Sequence, residues 1–116
     1  MTKGPRIADY LGHMLEAIER IEAYTADLDE MAFASSRLIQ DAVIRNIEII
    51  GEASHKAQRA DPAYVAEHPD IPWKVMYAMR NRVSHGYDHV DLELVWKTIH
   101  QDLPVLYRLI QNVRAS

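Results

Sequence analysis

Between Arg80 and His89 the chain places Arg80, Asn81, Arg82, His85, Tyr87 and His89, with Gly86 among them. A guanidinium is a planar fork that grips a phosphate through two parallel hydrogen bonds and stabilises charge developing on it. An imidazole, with an unperturbed pKa of about 6.5, gives or takes a proton near neutrality. Arg80 and His85 together are sufficient for metal-free cleavage of RNA, in which a 2′-hydroxyl attacks its own phosphate. A single His supplies on the order of 10²–10⁴-fold of such a rate. An Arg and a His at a helix end are more often a capping arrangement, and the residue types alone leave both readings open. Zinc is the weaker alternative for His85 and His89. Their i, i+4 spacing is interrupted by Gly86, no third ligand is evident, and no metal site is expected. The sequence also lacks a P-loop, a dinucleotide fingerprint and a Ser-His-Asp arrangement.

Geometry decides whether these groups can meet. Five residues of unbroken helix turn by about 140°, which would put Arg80 and His85 on different faces. Gly86 suits the position just past a helix end, where a left-handed residue terminates the turn. His85 is then the last half-helical residue and Tyr87 the first on the departing chain, so that both can fold back toward Arg80. The helix C-terminus favours a charged His85, while Arg80 and Arg82 oppose it.

The elements that carry this stretch are helical. Ile7, Leu11, Met14, Ile18 and Ile21 repeat at spacings of three and four and predict a helix from Pro5 to about residue 25. Asp27-Leu28-Asp29 is a turn, with Asp29 the N-cap of a long second helix over about 30 to 59. Leu38, Ile39, Ala42, Val43, Ile47, Ile49, Ile50 and Ala53 give that helix an apolar band wide enough for burial on two sides, the second against another subunit. Gly51 within it costs roughly 1 kcal/mol relative to Ala, which points to close helix–helix approach. Its neighbour Glu52 is a candidate cleft residue or a solvated Glu. Residues 61–72 hold three prolines and read as a loop with a short extra helix. Pro72 starts a third helix at Trp73, with Val75, Met76, Met79 and Val83 on one face. A fourth, capped by Asp91, runs to about Val113 and should kink at Pro104. Trp73 and Trp96 read as core or interface anchors. His13, His55, His68 and His100 read as surface or interhelical polar groups. The expected fold is all-α: an antiparallel bundle of four main helices.

Bulk properties set the frame. With 116 residues, 48% hydrophobic and 26% charged, the chain reads as one domain over residues 1–116. The absence of cysteine excludes disulfides and thiolate metal sites. No leader peptide or membrane-length apolar run is visible, so a cytoplasmic protein without membrane association is expected. A net charge of −4 disfavours broad charge-driven nucleic-acid coating. Between Trp73 and His89, however, Lys74, Arg80 and Arg82 face only Asp88, a local balance of +2.

Arg80, four residues, His85, one residue, Tyr87 resembles the Arg-x4-His-x-Tyr motif of the HepT-like toxins of the HEPN (higher eukaryotes and prokaryotes nucleotide-binding) superfamily. Ile50-Gly51-Glu52-Ala53, Asp70-Ile71-Pro72-Trp73, Val95-Trp96 and Asp102-Leu103-Pro104 follow the family pattern in the same order, from about Ile7 to Val113. The resemblance implies an all-helical homodimer with its motifs at a cleft between subunits. It implies a metal-independent ribonuclease toxin of a type VII-like pair, needing no cofactor. Arg80 would engage the phosphate of RNA and His85 would transfer protons, with Asn81, Arg82 and Glu52 as candidate cleft-lining residues. The partner implied is an MNT-type nucleotidyltransferase antitoxin that attaches AMP to Tyr87, blocking the cleft by bulk and charge. The alternative is a non-catalytic nucleotide-binding or scaffold module working with that nucleotidyltransferase.

Overall fold

The computed structural model describes residues 4–85 and 91–115, leaving aside the side chains of Gly4, Pro5, Ser84, His85 and Ala115. Seven α-helices follow in order among them: α1 (Gly4–Thr25), α2 (Glu30–Ala34), α3 (Arg37–Ala60), α4 (Pro62–Glu67), α5 (Trp73–His85), α6 (Leu92–Lys97) and α7 (Leu103–Ala115). No strand occurs among the described residues. The protein is all-α, a bundle whose main rods are α1, α3, α5 and the continuous run from α6 through α7, with α4 as the short helix expected between residues 61 and 72. None of the described helices is long and apolar enough to cross a membrane.

Caps explain most boundaries. The Asp29 carboxylate accepts from Ala32 N at 2.8 Å, Asp61 from Tyr64 N at 3.1 Å, and Asp91 from Leu94 N at 3.1 Å. Each satisfies a backbone donor that a helix start leaves orphaned. The long second helix expected over 30–59 is in fact two. Ser35 and Ser36 break it, and the Ser36 hydroxyl accepts from Ile39 N to start α3 afresh. Ser competes for backbone hydrogen bonds and so favours caps over helix interiors. Gln40 closes the break by donating to the carbonyl of Ala34 and to that of Phe33, which also accepts from Ser36 N.

α3 is the central rod. It packs on α1 and on α5, with Val43, Ile47, Ile50, Ala53 and Ala57 buried. Its wide apolar band is therefore covered in part on two sides within the chain, by α1 and α5, while Ile39, Ala42 and Ile49 stay half-buried. Leu38, counted in that band, is 79% exposed. On α1 the predicted stripe of Ile7, Leu11, Met14, Ile18 and Ile21 is buried throughout. Arg20 Nε donates to Asn46 Oδ1 at 2.8 Å, tying α1 to α3, and Tyr107 donates to Glu19 at 2.5 Å, tying α7 to α1. That bond pushes the Tyr107 phenol pKa above its ordinary value, because Glu19 accepts the proton the neutral form offers.

Pro104 acts one turn earlier than its own position. Between α6 and α7 the backbone widens to a π-helical turn over Thr98–Asp102. Proline lacks an N–H and its ring crowds the carbonyl four residues back. A π turn at that carbonyl relieves the crowding, a common origin of bends in long helices.

Candidate active site

The site is built where α3 and α5 come closest. Gly51 makes this approach: a Cβ there would overlap Arg80 Cβ and stand 3.0 Å from both Arg80 Cγ and the Met76 carbonyl oxygen. Any larger residue would push α5 away. Contacts along the two helices run in opposite senses, Ser54 with Trp73, His55 with Tyr77, Glu52 with Arg80, so α3 and α5 are antiparallel. Glycine at this crossing sets Arg80 directly on the backbone of α3.

Arg80 is half-buried. Its Nη1 donates to Asn81 Oδ1 at 2.9 Å, and its Nη2 lies 3.5 Å from Glu52 Oε2. A charge-assisted bond is normally about 2.7–2.9 Å, so the Glu52 contact is loose. Side-chain exposures of 30% for Arg80 and 41% for Glu52 keep the pair open to solvent. Arg80 Nε is buried and has no hydrogen-bond partner among the described residues. The guanidinium is thus positioned by Asn81, weakly held by Glu52, and incompletely satisfied. Such a fork retains capacity for an oxyanion.

Of the residues expected at the site, the structure brings together Arg80, Asn81 and Glu52. Arg82 is exposed on α5, rotated by about 160° from Arg80 around the helix axis. His85 is the last described residue of α5, and the expected helix stop at Gly86 lies outside the described residues. Its backbone lies about 7.5 Å beyond Arg80 along the axis. Gly86, Tyr87, Asp88 and His89 fall outside the described residues, and with them the expected fold-back of Tyr87. Among the described residues no group of His, Asp and Glu has the makings of a metal site.

Sequence reasoning missed the aromatic neighbours of Arg80. His55 on α3 and Tyr77 on α5 stack with ring centroids 4.2 Å apart and planes inclined by 12°. The signal was available: His55 is three residues after Glu52 and Tyr77 three before Arg80, so both share the faces that hold the ion pair. Trp73, by contrast, is the buried anchor the sequence suggested, at 4% exposure. Trp96 is half-buried, against Phe33 and His100.

The family model for HepT-like ribonucleases matches residues 14–113. The chain belongs to the HepT-like family. A Thermococcus cleftensis protein named "Probable ribonuclease HepT" is 40% identical over 106 residues, covering 91% of this chain and 94% of its own. A Methanocaldococcus jannaschii protein named "Gamma-glutamylcyclotransferase and putative RNase" is 44% identical over 104 residues, 90% of this chain but 46% of that longer protein. A second protein of the same organism, named as a "Putative RNase", is 34% identical over 104 residues, covering 90% of this chain and 93% of its own. No solved structure gives a significant match. The resemblance drawn from Arg80, His85, Tyr87 and the flanking motifs therefore holds for the family and for the all-helical fold.

Proposed function

We propose that this HepT-like chain is a metal-independent ribonuclease, acting as one domain, in which Arg80 binds the scissile phosphate and His85 transfers the proton. The observation that supports this most directly is the Arg80 guanidinium: fixed over Gly51, half-exposed and short of acceptors. In the reaction, His85 takes the proton of the 2′-hydroxyl as the oxygen attacks phosphorus. The P–O5′ bond breaks and the leaving oxygen takes a proton from water, while His85 later returns its proton to solvent, giving a 2′,3′-cyclic phosphate and a 5′-hydroxyl. Arg80 stabilises the added charge on the phosphorane oxygens. Asn81 orients Arg80, and Arg82 adds positive potential near the end of α5.

The fuller reading is a cytoplasmic toxin held in check by a nucleotidyltransferase antitoxin that places AMP on Tyr87. What supports it is the ordered motif set and the family membership. A homodimer belongs to the same reading.

Expression alone should arrest growth, and the purified protein should cleave RNA in chelator to cyclic-phosphate ends. Arg80→Ala and His85→Ala should each lose at least about a hundredfold in rate while keeping the parent's helical circular dichroism. Undiminished cleavage in both folded variants would overturn the assignment. Nucleotide binding without cleavage by the parent would instead favour the non-catalytic module. Intact mass of protein made with its genomic neighbour should rise by one or more AMP units, and Tyr87→Phe should abolish the increase.

A further inference from the structure

The α3–α5 crossing carries a second chemical feature beside the guanidinium. His55 and Tyr77 form a near-parallel stack, 4.2 Å between centroids and 12° between planes. That is the offset arrangement aromatic rings prefer. Neither ring is in the core: both residues are half-exposed. Among the described residues no hydrogen bond ties the imidazole or the phenol to a neighbour. The same bundle also shows what a structural aromatic looks like. Trp73 is buried and its Nε1 donates to the His68 carbonyl at 3.0 Å.

Position gives the stack its meaning. Tyr77 precedes Arg80 by three residues, an advance of about 4.5 Å along α5, and Tyr77, Arg80 and Asn81 fall within a stripe of about 100°. On α3, His55 follows Glu52 at the same interval. Because the helices are antiparallel, the aromatic pair and the ion pair lie side by side on one face, a single turn apart. A nucleotide presents a phosphate and a π-face at comparable separation. We infer that the His55–Tyr77 stack is the platform for an RNA base next to the phosphate held by Arg80. The base lies on an outer ring face and extends the stack by one member. Stacking is indifferent to sequence because every base has a π-face, so the platform requires an unpaired base rather than a particular one. The inference rests on the ribonuclease reading and adds to it a base subsite.

The test measures fluorescence anisotropy of a labelled 2′-O-methyl oligoribonucleotide, whose blocked hydroxyls prevent cleavage, and of the same backbone carrying abasic positions. Tyr77→Ala and His55→Ala should each weaken the base-bearing oligonucleotide by about five- to a hundredfold. Neither should change affinity for the abasic strand or the salt dependence of binding. Tyr77→Phe keeps a ring and should bind like the parent, whereas Tyr77→Leu fills the space without one and should behave like Tyr77→Ala. Arg80→Ala should weaken both strands and lower the salt slope by roughly one unit. Tyr77→Leu with parent-like helicity and unchanged affinity for both strands would overturn the platform while leaving the role of Arg80 intact. A parent protein that binds neither strand would overturn the RNA reading, and the platform with it.

Discussion

The two ends of the α3–α5 interface are built from similar residue types and do opposite things. At the Trp73 end, Ser54 is fully buried and its hydroxyl donates to the Trp73 carbonyl at 2.6 Å, while the Trp73 indole donates to His68. Ile71 and Trp73 fill the space around them. About two turns along, Arg80 meets Glu52 at 3.5 Å with a buried Nε that has no partner among the described residues, and His55 and Tyr77 stack half-exposed. One end has its polar groups matched and its rings inside. The other leaves donors short of acceptors and rings in reach of solvent. Polar groups buried in a stable interface are normally paired, and the imbalance at Arg80 is what the proposed phosphate site would draw on. The Trp73 end supplies the rigidity against which that end is held.

Removing the rigid end should cost most. Trp73→Ala deletes a large buried ring and is expected to destabilise the fold by about 3–5 kcal/mol, read as a lower midpoint in denaturant unfolding. A loss under about 1 kcal/mol would show that α5 is anchored elsewhere and would dissolve the contrast between the ends. Gly51→Ala is the next largest. Ala gains roughly 1 kcal/mol of helix propensity, but its methyl overlaps Arg80 Cβ, and overpacking costs about 1–3 kcal/mol. The expected net is a lowered melting temperature. A raised one would mean that α5 moves aside freely and that Arg80 is not fixed by the crossing.

Much of this was legible in the sequence, for reasons that differ by residue. The α1 stripe and Trp73 were readable because apolar periodicity and burial are the same physical fact seen twice. Gly51 was readable because close helix–helix approach is one reason a helix keeps a costly glycine, although Gly12 inside α1 has nothing within 4 Å of its missing Cβ. The break at Ser35–Ser36 was not, since the apolar pattern continues across it and only local hydrogen bonding by Ser and Gln40 divides α2 from α3. The width of the α3 band points to burial on two sides, and α1 and α5 supply two covers within the chain while leaving Leu38 exposed. Arg80 and Glu52 were nominated separately, and only the antiparallel crossing pairs them. His55 is the interhelical group its sequence reading allows, but its partner Tyr77 carries no reading, because the offset linking them spans two elements 22 positions apart in the chain.

Smaller changes test how independent the ends are. Ser54→Ala leaves the buried Trp73 carbonyl short of one donor, for an expected loss of about 1–2 kcal/mol. RNA cleavage by the folded fraction should be unchanged, because the hydroxyl bonds the Trp73 carbonyl and makes no hydrogen bond to Arg80. A matching loss of cleavage would couple the two ends.

Glu52→Gln should move stability least and is the most discriminating. Both members of the pair are substantially solvated, and ion pairs of that kind contribute at most about 1 kcal/mol. The melting temperature should therefore barely shift. The effect on binding has a definite sign. At 3.5 Å from Nη2, the Glu52 carboxylate is too far for a strong bond but close enough to oppose an approaching phosphate. Asn81 still holds Nη1 when Glu52 is neutral, so the fork stays in place while the competing charge is removed. A non-cleavable oligoribonucleotide should then bind about two- to fivefold more tightly, and the gain should shrink as salt screens it. Weaker binding at every salt concentration would make Glu52 the group that aims Arg80. The open end of the interface would then be as fully specified by its own pair as the Trp73 end is by Ser54.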